Sequence, residues 1–119
     1  MALDKKGIFA EAKPATEEIP FGKGTVVVSE LGFNETNVLR ESPLIKDAKG
    51  EFDGWKFIGL LVIYAVRDAN GARVFADTDL DAVMNIPRTS YLKLAEAAKK
   101  LNGMGDDAVK NSETTTPAV

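Results

Sequence analysis

Residues 52–68 read FDGWKFIGLLVIYAVRD, and this stretch decides the fold. From Trp55 to Val66 the run is apolar at nearly every position, with Lys56 and Gly59 as the exceptions. A segment that is apolar on all sides is buried on all sides, so the run belongs at the centre of a core. Its length favours a helix, although its β-branched content leaves a buried strand as the alternative.

Capping signals at the start of this run also favour a helix. Asp53 is a good N-cap, and Phe52 is placed to contact Phe57 as a hydrophobic staple. A membrane span needs roughly 20 apolar residues, and this run is bounded by Lys56 and Arg67 well short of that length. We therefore expect a central helix of a water-exposed domain, and no membrane partner.

Length and composition indicate one globular domain. The chain has 119 residues, of which 45% are hydrophobic and 28% charged, with a net charge of -3. These values are ordinary for a folded domain. The acidic balance argues against a nucleic-acid partner, which would require a clustered excess of Lys and Arg. Lys93, Lys99 and Lys100 are better explained as a solvated helix face than as a basic patch.

The chain contains neither cysteine nor histidine. This composition excludes disulfides, thiol nucleophiles, Ser-His-Asp triads and zinc thiolate sites. Neighbouring carboxylates, Glu17 with Glu18 and Asp106 with Asp107, lie in segments expected to be exposed and mobile, which makes them poor candidates for acid-base chemistry. The sequence therefore predicts a non-enzymatic protein without a cofactor. The N-terminus has no apolar segment of a secretory signal, so a cytoplasmic location is expected.

The N-terminal part predicts a β-hairpin. Residues 17–21 and 25–31 can pair across Gly22 and Gly24, and Pro20 requires the first strand to lie at an edge or to be interrupted. The sequence FGKGT lacks the spacing of a phosphate-binding loop and is better explained as the hairpin turn. Residues 5–12, KKGIFAEA, carry a weaker strand signal, and residues 1–15 are expected to be flexible.

A short helix is predicted between the hairpin and the central helix. Asn34 is its candidate N-cap, Phe33 and Val38 can form a hydrophobic staple, and Pro43 limits its length. Residues 44–51, LIKDAKGE, are charged and contain glycine, so we expect a flexible connection there.

Residues 70–84 follow the central helix and contain a cluster of aspartates. Asn70 and Gly71 predict a turn, and residues 73–75 predict a short extended piece. Asp77 or Thr78 is the expected cap of a short helix with an apolar face of Leu80, Val83 and Met84. Asp77, Asp79 and Asp81 resemble the alternating ligands of a calcium loop. They lack its glycine and final glutamate, so helix capping is the preferred interpretation.

The last predicted helix begins near Pro87 and ends at Asn102 and Gly103. One face carries an apolar stripe that is either core or a partner-binding surface, formed by Tyr91, Leu94, Ala95, Ala98 and Leu101. The predicted fold is α+β: a β-hairpin or small sheet packed against three to four helices in one domain over residues 16–102. Residues 103–119 are expected to form a weakly structured or disordered tail or linker.

Three segments, taken in order, resemble the tail assembly chaperones of lambda-like long-tailed bacteriophages, the siphophage tail assembly protein G family. Residues 19–36, IPFGKGTVVVSELGFNET, are similar to that family's vPeWGgtVyVReLsgaEr segment. Residues 60–83 are similar to its arlvalslvDedGkrlFtdeDveal segment, and residues 94–111 to its lfevalrLNGLseeaveeakkN segment. Phe21 replaces the usual Trp and Ser29 the usual Arg, so contacts of those two side chains do not carry over.

The resemblance implies a small α+β protein that works during infection in the host cytoplasm and is absent from the virion. It implies binding to the tape measure protein, and recruitment of tail tube protein through a longer product of programmed frameshifting. It also implies a homo-oligomer. In this setting residues 112–119 would be a linker to the second domain of the longer product.

Two other classes of protein fit parts of the sequence. Another phage structural or connector protein would share the acidic, cysteine-free composition but would remain in the virion. A small regulatory or DNA-binding domain would require a basic surface, which the composition does not favour.

Overall fold

The structure is a computed structural model, and it describes residues 2–104. Helix α3, Gly54–Ala65, forms the centre of the core, and residues 57–65 are all buried. The Asp53 carboxylate accepts hydrogen bonds from the N–H groups of Trp55 (2.9 Å) and Lys56 (3.2 Å). The rings of Phe52 and Phe57 lie 5.7 Å apart. The predicted central helix, its cap and its staple are confirmed, and the strand alternative is wrong for these residues.

A three-stranded antiparallel sheet is joined to the C-terminal end of α3. Strands β1, Thr16–Phe21, and β2, Gly24–Ser29, form the predicted hairpin, and Gly22 in its turn has φ of 61°. Strand β3, Val66–Arg67, follows α3 directly and pairs with β2 in the order β1-β2-β3. Pro20 lies in the edge strand β1, as its missing N–H requires.

The sheet buries one of its faces. Ile19 pairs with Val26 and, like Val28, lies on the side that packs against helix α5, Arg88–Leu101. Thr25 and Glu18 alternate with them and are exposed. This alternation is the period of two that a half-buried sheet requires.

Helix α2, Phe33–Glu41, has a different cap from the predicted one. Gly32, not Asn34, is the N-cap, and the Glu35 carboxylate accepts a hydrogen bond from the Gly32 N–H at 2.9 Å. Phe33 is 83% exposed and Val38 58% exposed, so the predicted staple does not form a buried contact. The helix begins earlier because the Glu35 side chain reaches back to the Gly32 N–H and stabilises a first turn that starts at Phe33.

The connection from α2 to α3 is an ordered turn. A 3-10 turn spans Pro43–Ile45, and Lys46 pairs with Phe52 in a single β-bridge. The Asp47 carboxylate accepts hydrogen bonds from the N–H groups of Lys49 (2.8 Å) and Glu51 (3.0 Å). The expectation of a flexible connection at residues 44–51 is therefore wrong, because one aspartate holds the turn closed.

After β3 the chain returns to α3. Gly71, with φ of 84°, forms the predicted turn, and the backbone of Arg73 forms a single antiparallel β-bridge with that of Arg67. A 3-10 turn, Asp77–Asp79, leads into helix α4, Leu80–Met84. Neither Asp77 nor Thr78 is the cap.

Ala76 is the N-cap of this 3-10 turn instead. The Asp79 carboxylate accepts a hydrogen bond from the Ala76 N–H at 2.8 Å. The turn therefore begins one residue earlier than a cap at Asp77 would place it. Leu80 and Val83 are buried as predicted, whereas Met84 is 36% exposed. The close approach of α4 to α3 occurs at Gly59, where a Cβ atom would lie 2.9 Å from Leu80 and Met84.

The C-terminus of α5 is closed by the predicted cap. Asn102 is the C-cap, Gly103 has φ of 71°, and the Met104 N–H donates to the Lys99 carbonyl at 2.7 Å. These bonds form a Schellman motif. The predicted α+β fold is confirmed: helices α2, α4 and α5 pack against α3, and α5 also packs against the hairpin of the small sheet. The tail prediction for residues 103–119 falls outside the described residues after Met104.

The N-terminus is a helix, not the predicted strand. Helix α1, Lys5–Glu11, begins at Asp4, whose carboxylate accepts a hydrogen bond from the Gly7 N–H at 2.8 Å. The cap was not anticipated, and it explains the helix. No residue of α1 is buried.

A candidate protein-binding groove

An open groove of about 1270 Å³ lies along the hairpin and the segment after β3. Its walls come from residues 12–14, from β1 and β2, from residues 30–35, and from residues 66–75. Ile86 and Leu94 also reach it. The groove therefore combines the start of the domain, the sheet and the turn after the central helix, which are distant in sequence.

The lining of this groove is mainly apolar. Besides Ile86 and Leu94, the large apolar side chains that reach it are Phe21, Val26, Val27, Leu31, Val66, Val74 and Phe75. Val74 is 54% exposed, whereas Val66 is 3% exposed and belongs to the core. The groove is thus an extension of the hydrophobic core to the surface. A continuous apolar surface of this kind is typical of protein-binding sites.

The charged rim of the groove is acidic on balance. Four carboxylates, of Glu18, Glu30, Glu35 and Asp68, line it together with the cations Lys13 and Arg67. Three of these carboxylates accept structural hydrogen bonds: Glu30 from the Ala15 N–H, Asp68 from the N–H groups of Asn70 and Ala72, and Glu35 from the Gly32 N–H. They position the backbone around the groove and leave its rim negatively charged.

Arg67 connects helix α2 to the turn after β3 at the rim of the groove. Its guanidinium pairs with Glu35 at 2.6 Å, and it also donates to the carbonyls of Tyr64 (2.8 Å) and Gly71 (3.3 Å). Burial acts to raise the pKa of Glu35, but the hydrogen bonds from Gly32 and Arg67 outweigh it and hold this pKa below 4.5. A carboxylate held charged in this way is suited to fixing Arg67 in place and is a poor general base at neutral pH.

A second charged cluster lies beside the groove, around Tyr64. The Arg73 guanidinium lies 4.3 Å from the centre of the Tyr64 ring and pairs with Asp77 at 2.6 Å. Burial raises the pKa of the Tyr64 hydroxyl above its ordinary value of 10.0. These contacts hold the turn after β3 against the end of α3.

The predicted apolar stripe of α5 lies mainly inside the domain. Leu94, Ala95 and Ala98 are at most 2% exposed, whereas Tyr91 and Leu101 are partly buried. Helix α5 packs against α3 and the hairpin, and the small alanine side chains allow this close approach. The three buried side chains are core residues, and Ala95 and Ala98 lie outside the groove. Leu94, although only 2% exposed, forms part of the groove lining.

The aspartate cluster does not assemble as a metal site in the described part of the chain. Asp77 pairs with Arg73 and Asp79 caps the turn before α4. Within residues 2–104 no group of three or more His, Cys, Asp or Glu side chains is placed to hold a metal ion. Among the same residues, none of the helices has the length and apolar character needed to cross a membrane.

Comparisons with protein-family models, with curated proteins and with solved structures found no match for this chain. Functional assignment therefore depends on the groove and on the sequence resemblance. Sequence reasoning missed the groove because its residues are far apart along the chain. The available signal was Val74 with Phe75, a pair of large apolar residues in the short extended piece predicted after the Asn70–Gly71 turn.

Proposed function

We propose that this protein is a phage tail assembly chaperone that binds the tape measure protein and helps to recruit tail tube subunits during tail assembly. The three ordered segments of sequence similarity support the family. The groove supports a binding role and is the observation that carries the proposal at the level of structure. The protein would act in the host cytoplasm and be absent from the finished virion.

The client of the groove would be an apolar face of a tape measure helix. Amphipathic helices bind other proteins by laying their apolar face into a hydrophobic groove. Val27, Val74 and Phe75 supply the apolar wall for such a face. The acidic rim around Glu18 and Asp68 would pair with basic residues flanking that face and keep the complex in solution.

The side chains of the groove favour binding over catalysis. Glu35 is held charged by Arg67, and Asp68 is engaged by two backbone N–H groups of its own turn. A general base requires a carboxylate or amine tuned towards neutral pH and free to exchange a proton. The groove instead offers apolar area with fixed charges at its edge.

Recruitment of tail tube protein would use a longer product made by frameshifting near the end of the gene. The described domain would then be shared by the short and the long product. This part of the proposal predicts a slippery heptamer and an overlapping frame in the gene, with a very long tape measure gene downstream. Sequencing the neighbouring DNA tests it directly.

Client binding is tested by co-expression of the tagged chain with the product of the long downstream gene. We expect the wild-type chain to keep that product soluble and to co-purify with it. Val74→Asp places a charge in the groove at a position that is 54% exposed, so the fold should survive while co-purification is lost. Trp55→Asp is the matched control, because Trp55 is 60% exposed and lies outside the groove.

The outcomes separate the parts of this proposal. Co-purification that survives Val74→Asp would show that the client binds elsewhere. A wild-type chain that binds neither the downstream product nor tail tube protein would contradict the chaperone function. Detection of the chain in purified virions by mass spectrometry would favour a structural or connector protein instead.

A further inference from the structure

Helix α1 forms an apolar arm that no other part of residues 2–104 buries. Leu3, Ile8 and Phe9 are 57%, 53% and 72% exposed, and no residue of α1 is buried. A helix of 7 residues is far below the length of about 12–15 residues at which isolated helices become even marginally stable in water. Such a segment requires an apolar surface to cover it.

The groove has the size and character to receive this arm. A helix of 7 residues is about 10 Å long and about 10 Å wide, which corresponds to roughly 800 Å³. The groove, at about 1270 Å³, accommodates that volume together with side chains that project from it. Lys5 and Lys6 in the first turn of α1 have an opposite charge to Glu18 and Asp68 at the groove rim.

The arm does not lie in the groove of its own chain, because the groove lining begins at Ala12 and includes none of residues 3–11. Ala15 is fixed to β2, because its N–H donates to the Glu30 carboxylate (3.1 Å) and its carbonyl accepts from the Glu30 N–H (2.8 Å). Only residues 12–14 lie between α1 and this anchor. The link itself is short: the Lys13 N–H donates to the Glu11 carbonyl at 2.9 Å in a tight turn at Ala12, and Pro14 has a fixed φ.

We propose that the arm of one copy, Leu3 to Glu11, docks into the groove of a second copy. Reciprocal exchange of two arms would form a closed, two-fold symmetric dimer. Phe9 and Ile8 would cover Val27, Val74 and Phe75 of the other copy. The inference shares the groove with the proposed function but does not require the client, and a client helix entering the groove would displace the arm.

Cross-linking tests the arrangement, because the chain has no native cysteine. Copies that carry only Phe9→Cys are mixed with copies that carry only Val74→Cys and treated with a flexible bismaleimide. We expect a dimer linked between positions 9 and 74, identified by mass spectrometry of the joined peptides. A mixture of Phe9→Cys with Trp55→Cys is the control, because both positions are exposed but Trp55 lies outside the groove.

Two results of this experiment would overturn the proposal. One is an equal yield of the 9–74 and the 9–55 products. The other is a cross-linked monomer from the double variant Phe9→Cys, Val74→Cys at low concentration, which would show that the arm folds into its own groove.

Sedimentation equilibrium of the full chain supplies an independent measurement. We expect a monomer–dimer equilibrium whose dissociation constant rises about tenfold or more in Phe9→Asp and in Val74→Asp, and remains unchanged in Trp55→Asp. A wild-type chain that remains monomeric throughout would overturn the arm exchange.

Failure of this inference is distinguishable from failure of the proposed function. Lost arm docking with intact co-purification of the tape measure product would contradict the inference alone. Intact arm docking without any client binding would contradict the chaperone function alone.

Discussion

Asn102 and Leu31 lie 71 positions apart in the chain and are joined by a hydrogen bond of 2.8 Å, from the Leu31 N–H to the Asn102 side-chain oxygen. The Asn102 side-chain amide also donates to the carbonyls of Ala98 (2.8 Å) and Ser29 (3.4 Å). One side chain thus closes α5 and fixes the end of that helix to the end of β2. The asparagine predicted only as a C-cap therefore makes a local bond to Ala98 and long-range bonds to Leu31 and Ser29.

We expect Asn102→Ala to lower the free energy of unfolding by about 1–3 kcal/mol, because it leaves the partly buried Leu31 N–H without an acceptor. Asn85→Ala is the matched control at the C-cap of α4. Asn85 is exposed and its side chain makes one local bond, to the Asp81 carbonyl, so the expected change is within about 0.5 kcal/mol. Urea denaturation followed by circular dichroism measures both. Equal effects in the two variants would show that the contact to Leu31 contributes nothing.

Gly59 is required where α4 crosses α3. A Cβ atom there would lie 2.9 Å from the side chains of Leu80 and Met84, so Gly59→Leu should cost about 1–3 kcal/mol of stability by overpacking. Gly24→Ala is the control, because a Cβ atom at position 24 meets nothing within 4 Å. Thermal unfolding of the two variants tests the difference. A Gly59→Leu variant as stable as wild type would place α4 elsewhere.

Acid should weaken the pairing of Glu35 with Arg67. The folded-state pKa of Glu35 is below 4.5, so the stability from this pair is complete above pH 4.5 and is lost as the pH falls through the folded-state value. The Glu35 side chain is 41% exposed, which limits the expected effect of Glu35→Gln to about 0.5–1 kcal/mol at pH 7. Urea denaturation at pH 7 and pH 3 should show this difference shrinking at pH 3. A difference that is unchanged with pH would contradict the pairing.

Both tyrosines of the chain should ionise at a higher pH in the folded protein than in the unfolded chain. Burial raises the pKa of Tyr64 and of Tyr91 above 10.0 in the folded protein. The unfolded chain therefore releases these protons first, and stability falls as the pH rises beyond about 10. Absorbance at the phenolate band should show less ionisation at pH 10 in the native protein than in urea. Equal titration curves would show that Tyr91 is not covered by the core.

Local signals in the sequence were sufficient for the elements whose partners lie nearby. Asp53 and the apolar run after it define α3, and Gly22 with Gly24 define the hairpin, because caps and turns are decided within a few residues. The stripe of α5 could be recognised, but its choice between core and surface required knowing where α3 lies. Leu94 and Ala98 are covered by helix α3, Gly54–Ala65, which ends well before α5 begins in the chain.

The incorrect expectations share a physical cause. Asp4, Glu35 and Asp79 each accept a hydrogen bond from a backbone N–H two or more residues away, and each thereby moves a helix start or creates one. Several residues near each start could have capped it, and pattern alone does not choose between them. The groove could not be predicted because its walls come from segments that only the tertiary fold brings together.

The two edge strands of the sheet, β1 and β3, affect how the protein would aggregate at high concentration. On one side Pro20 interrupts the donors of β1, and on the other side β3 is only two residues long and is followed by the return of Arg73. Neither edge offers a continuous template for adding strands from another molecule. The domain therefore exposes an apolar groove without also exposing a sheet edge from which fibrils could grow. In the proposed arm exchange, copies would associate through side chains and not through added strands.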